Sequence, residues 1–333
     1  MKHIRQGTLG ALAGMILSAG AVHAADELKL IQGLTPAGSS AAMFLAKEKG
    51  WYDEADLDVS ISEGRGSGYA TQLVVSGEID IGAIDLGPAM IAYEKGAPVV
   101  AIASWARKPT LSIFVDKDSP AESLADLKGK RIGLLAAGPV PPLIEPLMAN
   151  LGVSRDDFTW VNVEPRALFG SYFSGQVDAM ATIGPFAWPI VEPKRASKVF
   201  DLSDYGISSP GSGFIVSEAT LAAKKDALTR FVATQIRAWN YIFDGNAEEA
   251  ADAIIAQNPN AKLNRAVLLG QIEAYEPYFT SPATEGKPYG WQAPEDWKSA
   301  FETYQAAGLI ERATSGEDYY TNEIVDGALE LLE

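Results

Sequence analysis

Ser76-Gly77-Glu78-Ile79-Asp80 recurs 98 residues later as Ser174-Gly175-Gln176-Val177-Asp178. Each copy follows a strand, a loop and a helix of similar length in the hydrophobic pattern. The glycine can end that helix in the left-handed conformation, and the aspartate precedes the next strand. The repeat predicts two similar α/β lobes. The alternative is a chance helix-to-strand turn that the chain uses twice.

Strands and helices alternate on both sides of the two copies. Leu57, Val59 and Ile61 alternate with polar residues, which is typical of a strand with one buried face. After Phe214 the pattern becomes mostly helical. We therefore predict an α/β fold in which each lobe is a mostly parallel sheet flanked by helices. The C-terminal helices are expected to lie on the first lobe.

Two chain crossings are expected to connect the lobes. A strand near residues 111–115 leaves the first lobe, and a strand near residues 212–217 returns to it. The first lobe would then contain residues 25–113 plus 215–333, and the second lobe residues 114–214. Two thin connections of this kind permit hinge closure.

The N-terminal segment, residues 1–24, has the pattern of a secretory signal peptide. Lys2 and Arg5 form a positive start, residues 9–22 are apolar, and Val22-His23-Ala24 offers small residues before the predicted cleavage site. The chain has no cysteine that could carry a lipid there. We expect a freely diffusing periplasmic protein, monomeric, not a lipoprotein and not inserted into a membrane.

Composition excludes several classes of function. After residues 1–24, the chain has 25 basic and 43 acidic residues, a formal net charge of −18, so nucleic acid is not an expected partner. The same part of the chain has neither histidine nor cysteine. That excludes Ser-His-Asp triads, cysteine nucleophiles, zinc sites and haem ligation. We expect no metal and no cofactor, and catalysis would depend on carboxylates, lysine or tyrosine.

Several loops are expected to share one ligand-binding edge, because ligands of open α/β sheets bind beyond the carboxyl ends of the strands. These are the loops at residues 33–40, 63–68, 137–139 and 184–188, with Asp85. Their helix N-termini and glycines can hold an anionic or carbonyl group through backbone amides. The alternative for each serine is ordinary helix capping. The predicted ligand-binding residues are Thr35, Ser39, Gly64, Arg65, Gly66, Ser67, Asp85, Trp105, Gly138, Phe186 and Trp188.

Two tryptophans and three arginines are candidates for specific ligand contacts. Trp105 and Trp188 follow predicted strands and could stack on a flat or apolar ligand. Arg65, Arg107 and Arg166 could each clamp a carboxylate or sulfonate with two hydrogen bonds. The alternatives are core packing for the tryptophans and surface ion pairs for the arginines.

Four further segments carry a family resemblance when taken in order. They are Lys49-Gly50-Trp51-Tyr52, followed by Leu57-Asp58-Val59, Gly96-Ala97-Pro98-Val99-Val100-Ala101 and the segment of residues 123–133, SLADLKGKRIG. With the first repeat copy, they resemble the periplasmic substrate-binding proteins of nitrate/sulfonate/taurine-type ABC importers. Relatives of those proteins bind thiamine pyrimidine precursors. The resemblance covers about residues 28–217.

The resemblance implies a two-lobed, type II-like periplasmic-binding-protein fold that captures a small solute for a membrane permease with its ATPase. It places the family's binding residues at Thr35, the turn of residues 64–67, Asp85, Gly138 and the segment of residues 186–188. A eukaryotic branch of the family that synthesises pyrimidine uses histidine and cysteines. This chain has neither after residue 24, which argues against that enzymatic activity.

The sequence leaves two classes of function to compare. The first is a receptor that binds a small organic solute between its lobes, either pyrimidine-like or otherwise heteroaromatic, or a sulfonate or carboxylate. The second is a secreted enzyme, such as a lyase, that uses a carboxylate pair. Glu63 and Asp85 are the pair that the predicted fold brings to one sheet end.

Overall fold

A computed structural model describes residues 24–311 and 316–333 of the chain. The signal peptide predicted for residues 1–24 lies outside the described residues, except for Ala24. No helix in the described part of the chain has the length and apolar character needed to cross a lipid bilayer.

The described residues form ten strands and twelve α-helices. The strands are β1 Asp26–Gln32, β2 Leu57–Ser62, β3 Ile81–Asp85, β4 Val99–Ala106, β5 Leu111–Asp116, β6 Arg131–Leu134, β7 Thr159–Asn162, β8 Ala179–Ile183, β9 Ser197–Asp201 and β10 Ser212–Ser217. The helices are α1 Ala41–Glu48, α2 Trp51–Glu54, α3 Ser67–Val75, α4 Gly87–Glu94, α5 Ile144–Leu151, α6 Leu168–Phe173, α7 Gly184–Val191, α8 Glu218–Tyr241, α9 Ala247–Gln257, α10 Arg265–Tyr275, α11 Pro294–Ala306 and α12 Glu323–Glu330.

The strands form two five-stranded sheets of matching topology. The first sheet has the order β2-β1-β3-β10-β4, and the second has the order β7-β6-β8-β5-β9. In the first sheet β10 runs against its two neighbours, and in the second sheet β5 does the same. In the first sheet β1 pairs in parallel with β2 and β3, and in the second sheet β6 pairs in parallel with β7 and β8. The predicted two-lobed α/β fold is therefore confirmed.

The chain passes between the sheets twice. It leaves the first sheet after β4 and enters the second with β5, and it returns between β9 and β10. The crossings are residues 107–110 and 202–211. The division of the chain into lobes at residues 113 and 214 stays a prediction.

The two repeat copies have the same local structure. Gly77 and Gly175 adopt left-handed φ angles of 76° and 73°, as the sequence predicts for a helix end. The carboxylate of Asp80 accepts a hydrogen bond of 2.8 Å from the Lys29 amide in β1, and that of Asp178 accepts one of 2.8 Å from the Arg131 amide in β6. The repeat thus joins a helix end to the neighbouring strand in each lobe.

The C-terminal helices bury the outer face of the first sheet. In α8, Phe231 packs edge-on against Phe214 of β10, with ring centroids 5.0 Å apart, and stacks on Tyr52. Leu228 and Val232 lie beside it in the same hydrophobic core. Fully burying a side chain of this size contributes about 1.5–3 kcal/mol. The helical periodicity after Phe214 therefore reflects packing on the first sheet.

The buried side chain of Arg107 holds the first crossing against the C-terminal part of the chain. Its guanidinium donates to the carbonyl oxygens of Phe279, Pro288 and Trp291. Burial lowers the pKa of Arg107 to about 10, and the charge of Asp296 opposes that change. Arg107 is therefore a structural residue of the crossing, and the structure gives it no position against a ligand.

The second crossing lies against the first at Gly211. Gly211 has a φ of 74°, and an added Cβ would lie 1.8 Å from the Ala106 carbonyl oxygen. Gly77 has nearly the same φ of 76°, but its Cβ would meet no atom within 4 Å. The two glycines therefore differ in the space around them and not in backbone conformation.

Gly211→Ala is expected to destabilise the protein much more than Gly77→Ala. Both substitutions place a side chain in the left-handed region, which costs about 1–2 kcal/mol. Gly211→Ala also forces the crossings apart, which we expect to add at least ~2 kcal/mol. Urea denaturation of both variants and the wild type measures the difference. Equal destabilisation by the two variants would contradict the close packing of the crossings.

Candidate ligand-binding site between the sheets

A cavity of about 60 Å³ lies where the carboxyl ends of the two sheets face each other. The first sheet contributes the ends of β1, β3 and β4 and the start of β10, through Gln32, Asp85, Trp105 and Ser212. The second lobe contributes the last residue of β8 and residues that follow β6 and β8: Ile183, with Leu135, Gly138, Pro139 and Phe186. A molecule in this cavity would contact both lobes at once.

Eight of the eleven predicted ligand-binding residues line this one cavity. They come from both lobes and from six separate segments of the chain: Thr35, Ser39, Gly66, Ser67, Asp85, Trp105, Gly138 and Phe186. Their contact with a ligand stays a prediction. Gly64, Arg65 and Trp188 lie outside the lining.

Each of these three residues has a local reason for its position. Gly64 packs so closely on the end of β1 that an added Cβ would lie 2.2 Å from the Gln32 carbonyl oxygen. Arg65 is exposed, and its guanidinium lies 5.8 Å from the centre of the Tyr69 ring. Trp188 is 40% exposed. It follows Phe186 by two residues on α7, and two residues turn a helix by about 200°, so the two rings point in opposite directions.

Several cavity residues were not predicted from the sequence. Tyr275 is the last residue of α10, and it lines the cavity with Ser39, which is far from it in the sequence. Burial raises the pKa of the Tyr275 hydroxyl, and its hydrogen bond with Ser39 opposes that rise. No spacing or motif marks this tyrosine, because only the packing of α10 brings it to the loops.

Serines at this edge hold the loops in place as well as lining the cavity. The Ser40 hydroxyl donates to the Gln32 side-chain oxygen at 2.7 Å and accepts from the Ala37 amide at 3.1 Å. The Ser67 hydroxyl accepts from the amide of Asp85 at 3.2 Å. The cavity wall is therefore organised by its own hydrogen bonds, which limits the conformations from which a ligand must be bound.

Asp85 is a buried carboxyl group with an incomplete set of hydrogen bonds. It is 2% exposed, and its Oδ1 accepts from the amide of Gly87, the first residue of α4, at 3.1 Å. Its Oδ2 has no hydrogen-bond partner within residues 24–311 and 316–333. The Tyr304 hydroxyl and Asp85 Oδ1 both lie within 3.3 Å of the point where a Cβ of Gly87 would stand. The Tyr304 side chain thus packs against the backbone of Gly87 beside Asp85.

No positive charge faces Asp85 from the cavity wall. Of the residues that the structure describes, no lysine or arginine lines the cavity, and Asp85 is the only carboxylate in the lining. Burial therefore raises the pKa of Asp85 to about 7, although the hydrogen bond from Gly87 acts to lower it. Glu63, the predicted partner of Asp85 in a catalytic pair, is exposed and outside the lining.

Asp85→Asn is expected to stabilise the ligand-free protein at pH 8 and to lose much of that advantage at pH 5, since the advantage disappears between about pH 7 and pH 4. Above about pH 7 the Asp85 carboxylate is charged and buried in the folded protein, whereas in the unfolded chain the same charge is hydrated. The buried charge therefore lowers the free energy of unfolding of the wild type. Each pKa unit corresponds to about 1.4 kcal/mol, so the gain at pH 8 is on the order of a few kcal/mol. Thermal denaturation at both pH values measures it.

Asp178→Asn is the control for this pH dependence. The hydrogen bonds from Arg131 lower the pKa of Asp178, so its stabilising contribution is present at neutral pH and is lost in acid. That variant is expected to destabilise the protein at pH 8. If the Asp85→Asn variant were less stable than the wild type at pH 8, the buried carboxylate of Asp85 would have to be stabilised by other groups of the folded protein, and the argument from its burial would be wrong.

Two relatives of known name match most of the chain, and a third matches less than half of it. A Haemophilus influenzae protein named for thiamine biosynthesis is 28% identical over 289 residues, which are 84% of this chain and 86% of that protein. The formylaminopyrimidine-binding protein of Halalkalibacterium halodurans is 23% identical over 288 residues, 84% of this chain and 85% of that protein. A 4-amino-5-hydroxymethyl-2-methylpyrimidine phosphate synthase of Schizosaccharomyces pombe is 26% identical but matches 47% of this chain and 46% of its own.

Solved structures with the same fold include a sulfonate-binding protein. The alkanesulfonate-binding protein of Xanthomonas axonopodis pv. citri has a TM-score of 0.69 and 18% identity, and the match covers 91% of this chain and 99% of that one. At this identity, the likeness shows a shared fold.

The profile of the family described as NMT1/THI5 like matches residues 38–250, nearly two thirds of the 333 residues. The chain belongs to the NMT1/THI5-like family.

Proposed function

We propose that this chain is the periplasmic solute-binding receptor of an ABC importer, which delivers a small organic solute to an inner-membrane permease and its ATPase. The observation that carries the proposal is the cavity lined by both lobes at the carboxyl ends of the two sheets. A solute that contacts both lobes stabilises the closed form by its differential affinity for that form. A permease can then distinguish the loaded receptor from the empty one.

The chemistry of the cavity favours a neutral or cationic heteroaromatic solute that carries N–H groups. Trp105, Phe186 and Tyr275 supply aromatic surface, and Asp85 supplies an unpaired carboxyl oxygen that can accept a hydrogen bond. Binding an anion beside an uncompensated carboxyl group is unfavourable in a buried site. This argues against a sulfonate or carboxylate and supports a pyrimidine, the class of solute in the name of the Halalkalibacterium relative.

The periplasmic location and the removal of residues 1–24 are part of this proposal. The predicted signal peptide supports them, as does the similarity to periplasmic substrate-binding proteins. We also propose the predicted division into residues 25–113 plus 215–333 and residues 114–214 as the two moving lobes, with each limit moved to the adjoining crossing so that β5 stays whole in the second lobe and β10 in the first. The two crossings at residues 107–110 and 202–211 would form the hinge.

The alternative is an enzyme on the same fold, as the names of the synthase relatives suggest. Those relatives match between 41% and 63% of the chain, at 26–30% identity. The carboxylate pair that the sequence suggested does not meet in the cavity, since Glu63 lies outside its lining. Incubation with a bound pyrimidine followed by chromatography tests this alternative directly, and a new product would favour the enzyme.

The solute class can be tested with 4-amino-5-hydroxymethyl-2-methylpyrimidine, ethanesulfonate and nitrate as probes. The pyrimidine is expected to stabilise the wild type in thermal-shift and calorimetric measurements, and the two anions are not. At one hundred times Kd, a ligand adds about 2.7 kcal/mol to the free energy of unfolding. Asp85→Asn is expected to weaken pyrimidine binding at least tenfold, because the substitution replaces the carboxyl acceptor by an N–H donor.

Asp80→Asn is the matched control, because Asp80 is a carboxylate of the first lobe that bonds to β1 outside the cavity. It should leave pyrimidine affinity unchanged. Stabilisation of the wild type by ethanesulfonate or nitrate but not by the pyrimidine would contradict the proposed solute class. Failure of a wide solute panel to stabilise the protein would contradict the receptor function itself.

Phe186→Ala and Trp188→Ala are expected to separate the two rings of α7. Phe186 lines the cavity, so its removal should weaken pyrimidine binding by about tenfold, or about 1.4 kcal/mol. Trp188 is largely exposed and outside the lining, so its removal should change the affinity by less than about twofold. Isothermal titration calorimetry of both variants with the pyrimidine measures the two changes in affinity. A larger loss for Trp188→Ala would place the ligand on the other side of α7.

A further inference from the structure

The side chain of Gln271 bridges two segments that belong to opposite lobes. Its Oε1 accepts a hydrogen bond of 2.9 Å from the amide of Gly38, in the loop after β1. Its Nε2 donates a hydrogen bond of 2.8 Å to the carbonyl oxygen of Phe186 in α7. Gln271 is 2% exposed. One buried amide group therefore spans the gap between the lobes beside the cavity.

The surrounding backbone is packed to fit this bridge. An added Cβ on Gly38 would lie 2.5 Å from the Cβ of Gln271, so only glycine permits the contact. On the other side of α10, a Cβ on Gly270 would lie 3.0 Å from the Cβ of Pro189 in α7. Helix α10 is thus held between the loop of the first lobe and α7 of the second lobe.

Gln271 lies next to two walls of the cavity. Phe186, whose carbonyl oxygen accepts the bridge, lines the cavity, and so does Tyr275, one turn beyond Gln271 on α10. If the lobes separate, the Gly38 amide and the Phe186 carbonyl oxygen can no longer share this side chain. The bridge is therefore a property of the closed arrangement.

We propose that Gln271 is a positioning residue that holds the two lobes closed around the solute, by linking Gly38 to Phe186 through one buried amide group. This inference rests on the proposed receptor function. Without this amide group the Gly38 N–H and the Phe186 carbonyl oxygen would be left buried without a hydrogen-bond partner in the closed form, which is unfavourable. Loss of the bridge should therefore open the protein more readily and release a bound solute faster.

Gln271→Met removes both hydrogen bonds while keeping a side chain of similar length. Small-angle X-ray scattering of the ligand-free protein is expected to show a larger radius of gyration for this variant than for the wild type. Stopped-flow fluorescence with 4-amino-5-hydroxymethyl-2-methylpyrimidine as the probe is expected to show about five- to tenfold faster dissociation, and a smaller change in the association rate.

Gln292→Met is the matched control. Gln292 is also a buried glutamine, but its amide donates to the carbonyl oxygens of Ala101 and Thr321, both in parts of the chain that pack on the first sheet. This variant is expected to lose stability without any change in scattering or dissociation rate. An equal effect of both variants on dissociation would show general loosening and would overturn the proposal.

Gln271→Glu separates the two ends of the bridge. It keeps the oxygen that accepts from Gly38 and can donate to Phe186 only when protonated. Its dissociation rate relative to the wild type is expected to be raised at about pH 8 and to recover at about pH 5. A ratio independent of pH would mean that the bond to Phe186 does not hold the lobes.

The scattering measurement separates this inference from the proposed function. If the probe binds and the Gln271→Met variant releases it at the wild-type rate with the same scattering curve, the bridge proposal fails and the receptor proposal stands. If no probe binds to any form, the solute class fails. A more open Gln271→Met variant would then still support the bridge, and identical scattering would overturn it.

Discussion

The close packing of the two chain crossings is the constraint on which the rest of this structure depends. Gly211 has no side chain, and the second crossing can therefore lie directly against the carbonyl oxygen of Ala106 at the first. Arg107 ties the first crossing to the C-terminal part of the chain through three carbonyl oxygens. Both connections run side by side, and the proposed hinge motion would rotate the lobes about them as a pair. That arrangement leaves a cleft between the carboxyl ends of the sheets.

A buried carboxyl group stands at the end of β3 in this cleft, and the described lining has no lysine or arginine. A solved protein with the same fold is named for binding alkanesulfonates. The burial that raises the pKa of Asp85 also makes the site unfavourable for an anion. The fold and the ligand specificity therefore depend on different residues. The two sheets form the cleft, and a few side chains at the strand ends determine which ligands can bind in it.

The candidate site was partly predictable for a simple geometric reason. Parallel strands place their carboxyl ends at one edge, so loops that follow strands meet there whatever their sequence. This is why Thr35, Asp85 and Gly138, from distant segments, line one cavity. Side-chain direction was less predictable. Phe186 and Trp188 come from one predicted segment, but the helical turn between them puts Phe186 at the cavity and leaves Trp188 exposed.

By itself, the sequence determined the two α/β lobes, because the repeat around Gly77 and Gly175 encodes a left-handed helix end and an aspartate that bonds to the next strand. Hydrophobic period and local turn chemistry act over a few residues and can be read along the chain. Only the tertiary structure decided that Tyr275 of α10 lines the cavity and that Gln271 of the same helix links Gly38 to Phe186. Their roles depend on contacts with loops far away in sequence, and no local pattern encodes such contacts.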